Sequence, residues 1–228
     1  MGFQPVTFIR KNSTRLPNKS FLEIDDKPLC YYAINTLSEL HKLKLVKKPI
    51  IYASEDYFSK YECFNDLHYE FYKRDKSLDG DVDFNMLMNS FLNDKSISCN
   101  SDHIIFFCVT GPFMKTNTIV DMIDQINKNK NDSAFTGIPV RNFCWFKNKP
   151  LNYKLSERIP WTQNLEPVIQ ESSSLYIFNK NYFLETGRRI GNNPYIKLVD
   201  PIEGHDIDYQ YEFDLAKKIW EGNNGLRN

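Results

Sequence analysis

The chain of 228 residues has no net charge, because 29 lysines and arginines balance 29 aspartates and glutamates. No global field draws it to nucleic acid or to a membrane surface, so local clusters of charge carry the information. No run approaches the roughly 18 apolar residues of a membrane span. No apolar stretch follows basic residues at the N-terminus either, so a secretory leader is not expected. Paired cysteines are also missing. Cys30, Cys63, Cys99, Cys108 and Cys144 are odd in number and scattered, without a C-x-x-C pair. That favours buried thiols in a reducing cytoplasm over a disulfide framework or a zinc site. There is no internal repeat and no low-complexity linker, and the length suits one domain spanning 1–228.

What is present alternates. Strand-like runs occupy 6–10, 49–54, 68–74, 103–109, 133–140, 173–178 and 195–200. Helix-like stretches lie at 28–43, 82–93, 117–129 and 208–221. In the first, Leu29, Tyr32, Ala33, Leu37 and Leu40 share one face at helical spacing behind Pro28. In the last, Phe213, Leu215, Ile219 and Trp220 are expected inside. The pattern predicts an α/β fold, a Rossmann-like three-layer sandwich around a mostly parallel sheet. Such sheets carry their sites at the carboxyl ends of strands. Residues 141–170, rich in aromatics and prolines, break the alternation and read as an inserted dimerisation or lid segment.

Two stretches stand out. FIRKNSTRLPNK (8–19) places Arg10, Lys11, Arg15 and Lys19 behind the first strand with no carboxylate among them. Its hydroxyls, amides and cations suit a polyphosphate cradle. Without glycine it is neither a Walker A loop nor a G-x-G-x-x-G turn, and a solvated basic loop is the other reading. GHDIDYQYEFDLAKKIW (204–220) sets Asp206 and Asp208 on either side of Ile207. In extended backbone the two carboxylates share a face, and a hard divalent cation such as Mg²⁺ would relieve their repulsion. Alternatively Asp208 is a helix N-cap and Asp206 a solvated turn residue. His205, beside the pair, is the one histidine singled out.

These motifs resemble, in order and over nearly the whole chain, those of the acidic-sugar cytidylyltransferases, the family of CMP-sialic acid and CMP-3-deoxy-manno-octulosonate synthetases. The first loop is similar to A-R-x-G-S-(K/T)-(G/R)-(I/L)-P-x-K-N, with Arg10, Ser13, Pro17 and Lys19 in place. YASED (52–56) resembles the second-strand S-T-D-D motif. KRDKSLDGD (73–81) resembles R-P-x-x-L-x-x-D through Arg74, Leu78 and Asp81. CVTGPFMKTNTI (108–119), TQNLEPVIQESSSLYIF (162–178) and the terminal D-I-D follow.

The resemblance implies transfer of CMP from CTP to an acidic sugar, with release of pyrophosphate, for surface-glycan assembly. It implies that Arg10 and Lys19 neutralise the triphosphate, with Ser13 and Arg15 beside them, Arg15 matching the loop variant of the superfamily's spore-coat polysaccharide branch. Arg74 and Asp81 would contact the nucleotide, and Gln163, Ser172 and Ser173 the acceptor. Asp206 and Asp208 would hold Mg²⁺. A homodimer is typical of the family. The departures are Lys11 and Asn12 at the loop glycines, Cys108 and Met114 where glutamine and arginine are usual, and Trp161 for an arginine. Ser172 and Ser173 stand at the usual Asn-Gly, and Tyr209 replaces a threonine. The nucleotide side is thus kept and the acceptor side rewritten, which leaves room for a non-sugar acid such as a phosphonate, or for a catalytically silent nucleotide-binding copy.

Overall fold

The computed structural model describes residues 2–11, 13–80, 82–128 and 131–225, with side chains to 222 at the C-terminal end. Seven strands form the central sheet: β1 (Phe3–Ile9), β2 (Ile50–Ala53), β3 (Glu70–Lys73), β4 (His103–Phe107), β5 (Ser133–Val140), β6 (Val168–Asn179) and β7 (Pro194–Leu198). Their order across the sheet is β7-β5-β6-β4-β1-β2-β3. All pairings are parallel except those of β6, which runs antiparallel to both β4 and β5. Five helices surround the sheet: α1 (Leu29–Lys42), α2 (Phe84–Asn93), α3 (Thr116–Asn127), α4 (Lys180–Thr186) and α5 (Gln210–Gly225).

The central strands β1, β2 and β4 are buried on both faces and read as near-continuous apolar runs, whereas the edge strands β3 and β7 are partly exposed. Alternate residues feed two cores. Ile9, Ile51, Ile105 and Ile177 pack with Ala33 and Leu37 of α1 and with Met122 and Ile126 of α3. Val6, Ile50, Ile104 and Phe178, from the opposite face, pack with Met88 and Phe91 of α2 and with Phe183 of α4. The three-layer α/β architecture expected from the alternation is therefore present. All five residues assigned to the inner face of α1 are buried.

Helix starts follow local chemistry. The Asp83 carboxylate accepts from the backbone N–H of Met86 at 2.8 Å and caps α2. At α5, Glu212 reaches back to accept from the N–H groups of Asp208 (2.6 Å) and Tyr209 (2.9 Å), the carboxylate half of a capping box. Asp208 itself is therefore not the capping acceptor. On α5 the buried residues are Phe213 and Ala216, while Leu215 is 47% exposed. Spacing from Phe213 turns Leu215 away from the core, which corrects the expected inner face. β6 begins at Val168, before the expected 173, because its first half is polar and carries a bulge between Glu171 and Tyr176. Residues 141–170 hold a small hairpin, Trp145–Phe146 paired with Lys149–Pro150, and a short 3-10 turn at Thr162–Asn164.

Candidate active site

The basic loop leaves the carboxyl end of β1, and the Asp206–Asp208 segment crosses the same end of the sheet. A third apolar cluster fixes their meeting: Leu16 from the loop and Ile207 from between the aspartates pack with Leu29, Tyr32, Phe213 and Ala216. Each apolar residue is flanked by the charges in question, so burying it aims its neighbours outward. The backbone N–H of Ile207 also donates to the Thr110 carbonyl at 3.0 Å, docking the segment beside the loop that follows β4.

The outcome is contact between residues nearly two hundred positions apart. Lys19 Nζ donates to Asp208 Oδ1 at 2.7 Å, and Arg15 Nη1 to Asp208 Oδ2 at 2.5 Å. A cleft of about 440 Å³ opens in front, lined by Arg10, Ser13, Thr14, Arg15, Leu16 and Lys19 on one side and by Asp79, Gly80 and Val82 on the other. Arg10 Nη1 spans it, donating to the Val82 carbonyl at 3.1 Å. Three of the loop's four cations thus face one cavity, whereas Lys11 is exposed and outside its lining.

A second cleft, of about 370 Å³, lies beyond the aspartates. Its lining includes Gln170, Glu171, Ser172, Ser173, His205, Asp206 and Asp208. Its floor is the β6 bulge. There Ser172 is buried and shares a 2.5 Å hydrogen bond with Thr136, and Ser173 takes a left-handed φ of 60°. That conformation suits glycine better than serine, which is why an Asn-Gly would sit there with less strain. Gly111 supports the bulge from below: a Cβ on it would come within 2.5 Å of Ser174 Oγ.

Asp206 lines the second cleft. Its Oδ1 is buried without a hydrogen-bond partner. Burial pushes its carboxyl above the usual range, opposed by hydrogen bonding from Thr110 and assisted by the nearby Asp208 charge. An orphaned carboxylate oxygen beside a second carboxylate fits a hard cation. The described residues hold no cluster of three or more His, Cys, Asp or Glu side chains able to bind a metal unaided, so further ligands would come from substrate oxygens and water.

A stability prediction follows from the raised carboxyl. Between the unfolded value near 3.8 and the higher folded one, the folded chain binds more protons than the unfolded. In chelator, stability should therefore fall as pH rises through that window. Asp206→Asn should flatten this decline in thermal melts; an unchanged pH profile would contradict the assignment.

Other expected site residues lie elsewhere. Arg74 is only 2% exposed and sits behind the first cleft, ion-paired with Asp79 and donating to the Tyr52 carbonyl at 3.4 Å. It positions the wall rather than lining it. Gln163 is exposed on the 141–170 arm and lines neither cleft, because the arm's 3-10 turn carries it outward. Asn12 and Asp81 lie outside the described residues. His205 lines the second cleft, with Nε2 2.9 Å from the Glu212 carbonyl. Sequence reasoning missed Asp79, Glu171 and Glu212. Only Glu212 had a legible signal, its position three residues after Tyr209 at a helix start.

The chain thus combines a three-layer α/β sandwich with a cation-lined cleft beside a carboxylate pair, and has no P-loop. The family described as Cytidylyltransferase matches residues 8–227, and the chain belongs to it. Post-translational flagellin modification protein B of Campylobacter coli is 21% identical over 225 residues, covering 91% of this chain and 90% of that protein. Among solved structures, CMP:2-keto-3-deoxy-manno-octonic acid synthetase complexed with CTP superposes with a TM-score of 0.63 at 10% identity, covering 98% of this chain and 100% of that one. The 4-diphosphocytidyl-2C-methyl-D-erythritol synthase of Anaerococcus prevotii gives 0.62 at 10% identity, over 96% and 98% of the two chains. The bifunctional IspDF of Campylobacter jejuni gives 0.61 at 18% identity over 95% of this chain, which spans 54% of that longer protein. At these identities the structural likeness establishes the fold.

Proposed function

We propose that this cytidylyltransferase joins the hydroxyl of an acidic sugar to the α-phosphorus of CTP. The acceptor oxygen forms the new P–O bond, the bond to the β-phosphate breaks, and pyrophosphate leaves. The observation that carries the reading is the two-sided arrangement at Asp208: Arg15 and Lys19 line one cleft and bond to Asp208, which with Asp206 lines the other. Phosphoryl-type transfer depends mainly on positioning and on neutralising the charge on the leaving oxygens. Arg10, Arg15 and Lys19 supply that neutralisation from fixed positions, without reorganising solvent. Ser13 adds a hydroxyl beside the same oxygens. Asp206 and Asp208 would hold Mg²⁺, which when bound acidifies and orients an acceptor hydroxyl. The triphosphate would replace Asp208 as partner of Arg15 and Lys19.

The acidic-sugar assignment draws on the 2-keto-3-deoxy acid named for one structural neighbour and on the flagellin modification named for the Campylobacter coli relative. It places the reaction in surface-glycan assembly. The retained cations and carboxylates count against a silent copy, since an inactive protein has no need to keep Asp206 with a buried, unpartnered oxygen. Five free thiols suit a reducing cytoplasm, and no helix among the described residues is long and apolar enough to cross a membrane. The arm exposes Phe146, Leu155, Ile159 and Trp161, each at least 60% accessible. Such a surface is suited to cover by a second copy, and we assign it to a homodimer.

The deciding experiment measures pyrophosphate released from CTP and Mg²⁺ across a panel of sugar acids and phosphonates. Release with at least one sugar acid is expected. Release only with a phosphonate would move the acceptor outside sugars, and CTP binding without release would favour the silent reading.

A further inference from the structure

The stretch KLKLVKK (42–48) takes no part in either cleft. It joins α1 to β2, and no carboxylate occurs between Glu39 and Glu55. Lys42, Lys44, Lys47 and Lys48 are all exposed, and none of them enters an ion pair among the described residues. Leu43 and Leu45 stand between them, 59% and 39% exposed. Within the stretch only Val46 is buried. Unpaired cations thus surround two leucines that the core does not take up.

The turn is held at both ends. α1 closes in a Schellman arrangement, in which the N–H of Leu45 donates to the Leu40 carbonyl at 3.3 Å and that of Lys44 to the His41 carbonyl at 2.8 Å. Beyond it, the Lys47 N–H donates to the Phe3 carbonyl at 3.0 Å, and Gln4 Nε2 donates to the Lys48 carbonyl at 2.8 Å. Lys44 occupies the left-handed position, with φ 60°, where glycine or asparagine is the ordinary occupant. A lysine strains the backbone there, so the fold itself gains nothing from that side chain.

Topology sets where the turn points. α1 begins beside the site, with Leu29 in the cluster that holds Leu16 and Ile207. It then runs 14 residues, roughly 20 Å, to the amino end of β2. The lysine turn therefore lies at the end of the sheet opposite both clefts. Its chemistry narrows the partner. Lysine is depleted in protein–protein interfaces. Single-stranded nucleic acid is gripped with stacking aromatics, and 42–48 has none. An anionic bilayer uses both residue types, since lysines meet the headgroup charge and leucines enter the acyl boundary.

We propose that the 42–48 turn docks the protein on a membrane surface rich in anionic lipid, with both clefts turned away from the bilayer. This goes beyond the transfer reading above and does not depend on it. The association is peripheral and reversible. The lysines supply an attraction that salt screens, and Leu43 and Leu45 add a shallow apolar foothold that salt leaves in place. Each lysine close to such a surface strengthens binding about fivefold. Together they favour anionic over neutral vesicles by at least about a hundredfold.

Sedimentation of the whole chain with lipid vesicles tests this. Vesicles of phosphatidylcholine alone should pellet little protein. Adding phosphatidylserine should raise the affinity at least about a hundredfold, and high salt should reverse most of the gain. Replacing Lys42, Lys44, Lys47 and Lys48 together by glutamine should abolish the preference, and Leu43→Ser should weaken what binding remains in high salt. Lys44→Gly separates docking from folding. It should raise the melting temperature by relieving the left-handed strain, yet weaken anionic-vesicle binding about fivefold. Equal pelleting with both kinds of vesicle, or anionic binding that survives the glutamine substitutions, overturns the inference. Retention on polyglutamate or on poly(U) RNA without binding to vesicles also overturns it, and assigns the turn to an acidic protein or to nucleic acid instead.

Discussion

Replacing Asp208 with alanine should lower the rate of pyrophosphate release from CTP by about a thousandfold, equivalent to roughly 4 kcal/mol of transition-state stabilisation. The fold should survive. The Asp208 side chain is 24% exposed, and the helix start it precedes is capped by Glu212 through backbone N–H groups that the substitution leaves in place. Affinity for CTP should hold or tighten, because Arg15 and Lys19 lose the carboxylate that competes with the triphosphate for them. That combination separates the proposed role from general damage, which would weaken both. Steady-state kinetics with a melting curve on the same sample check it, and turnover within tenfold of wild type would sink the metal assignment.

The second large effect concerns stability. Asp79→Ala should cost about 3 kcal/mol, and Arg74→Met clearly less. The Arg74 side chain has no solvent exposure, its Nε has no partner, and its ion pair is with Asp79, which is 18% exposed at the cleft wall. Removing the aspartate strands a buried guanidinium on one weak carbonyl contact. Removing the arginine leaves a carboxylate that water can reach. Denaturant titration of the two variants compares them directly, and equal costs would show that the pair is not a buried charge couple. The Asp79 variant should also raise the KM for CTP, since Asp79, Gly80 and Val82 form one wall of the cleft proposed to hold the nucleotide.

The central strands β1, β2 and β4 were legible because each is buried on both faces and so spells a largely apolar run, whereas the partly exposed edge strands β3 and β7 mix aromatic and aliphatic residues with polar ones. α4 escaped because seven residues give helical periodicity too little length, although its Asn179 cap is in place. Leu215 misled because hydrophobicity was read ahead of spacing, and the small Ala216 occupies the inward position. In the site, the charged loop and the Asp-Ile-Asp segment could be found in sequence, since both depart from what a bland loop contains. The contacts of Asp79 and Glu171 could not. Each takes its meaning from a partner, Arg74 or Tyr176, whose own environment is fixed by tertiary packing. Arg74 was recognisable as a motif residue, but nothing local indicates that the strand end would bury it.

The packing of Leu16 against Ile207 and α5 bears on how the protein is made. The basic loop is synthesised long before Phe213 and Ala216, yet the cluster that anchors it draws on both. Closing so long a loop in the chain is slow compared with forming the local β-α units. During synthesis the sheet can assemble while the basic loop still lacks its clamp and its acidic counterpart. Nucleotide-transfer competence thus arrives late, when α5 docks. A chain lacking α5 would keep much of its sheet but lose the packing that brings Arg15 and Lys19 to Asp208, so activity reports on the docking of α5 as well as on formation of the sheet.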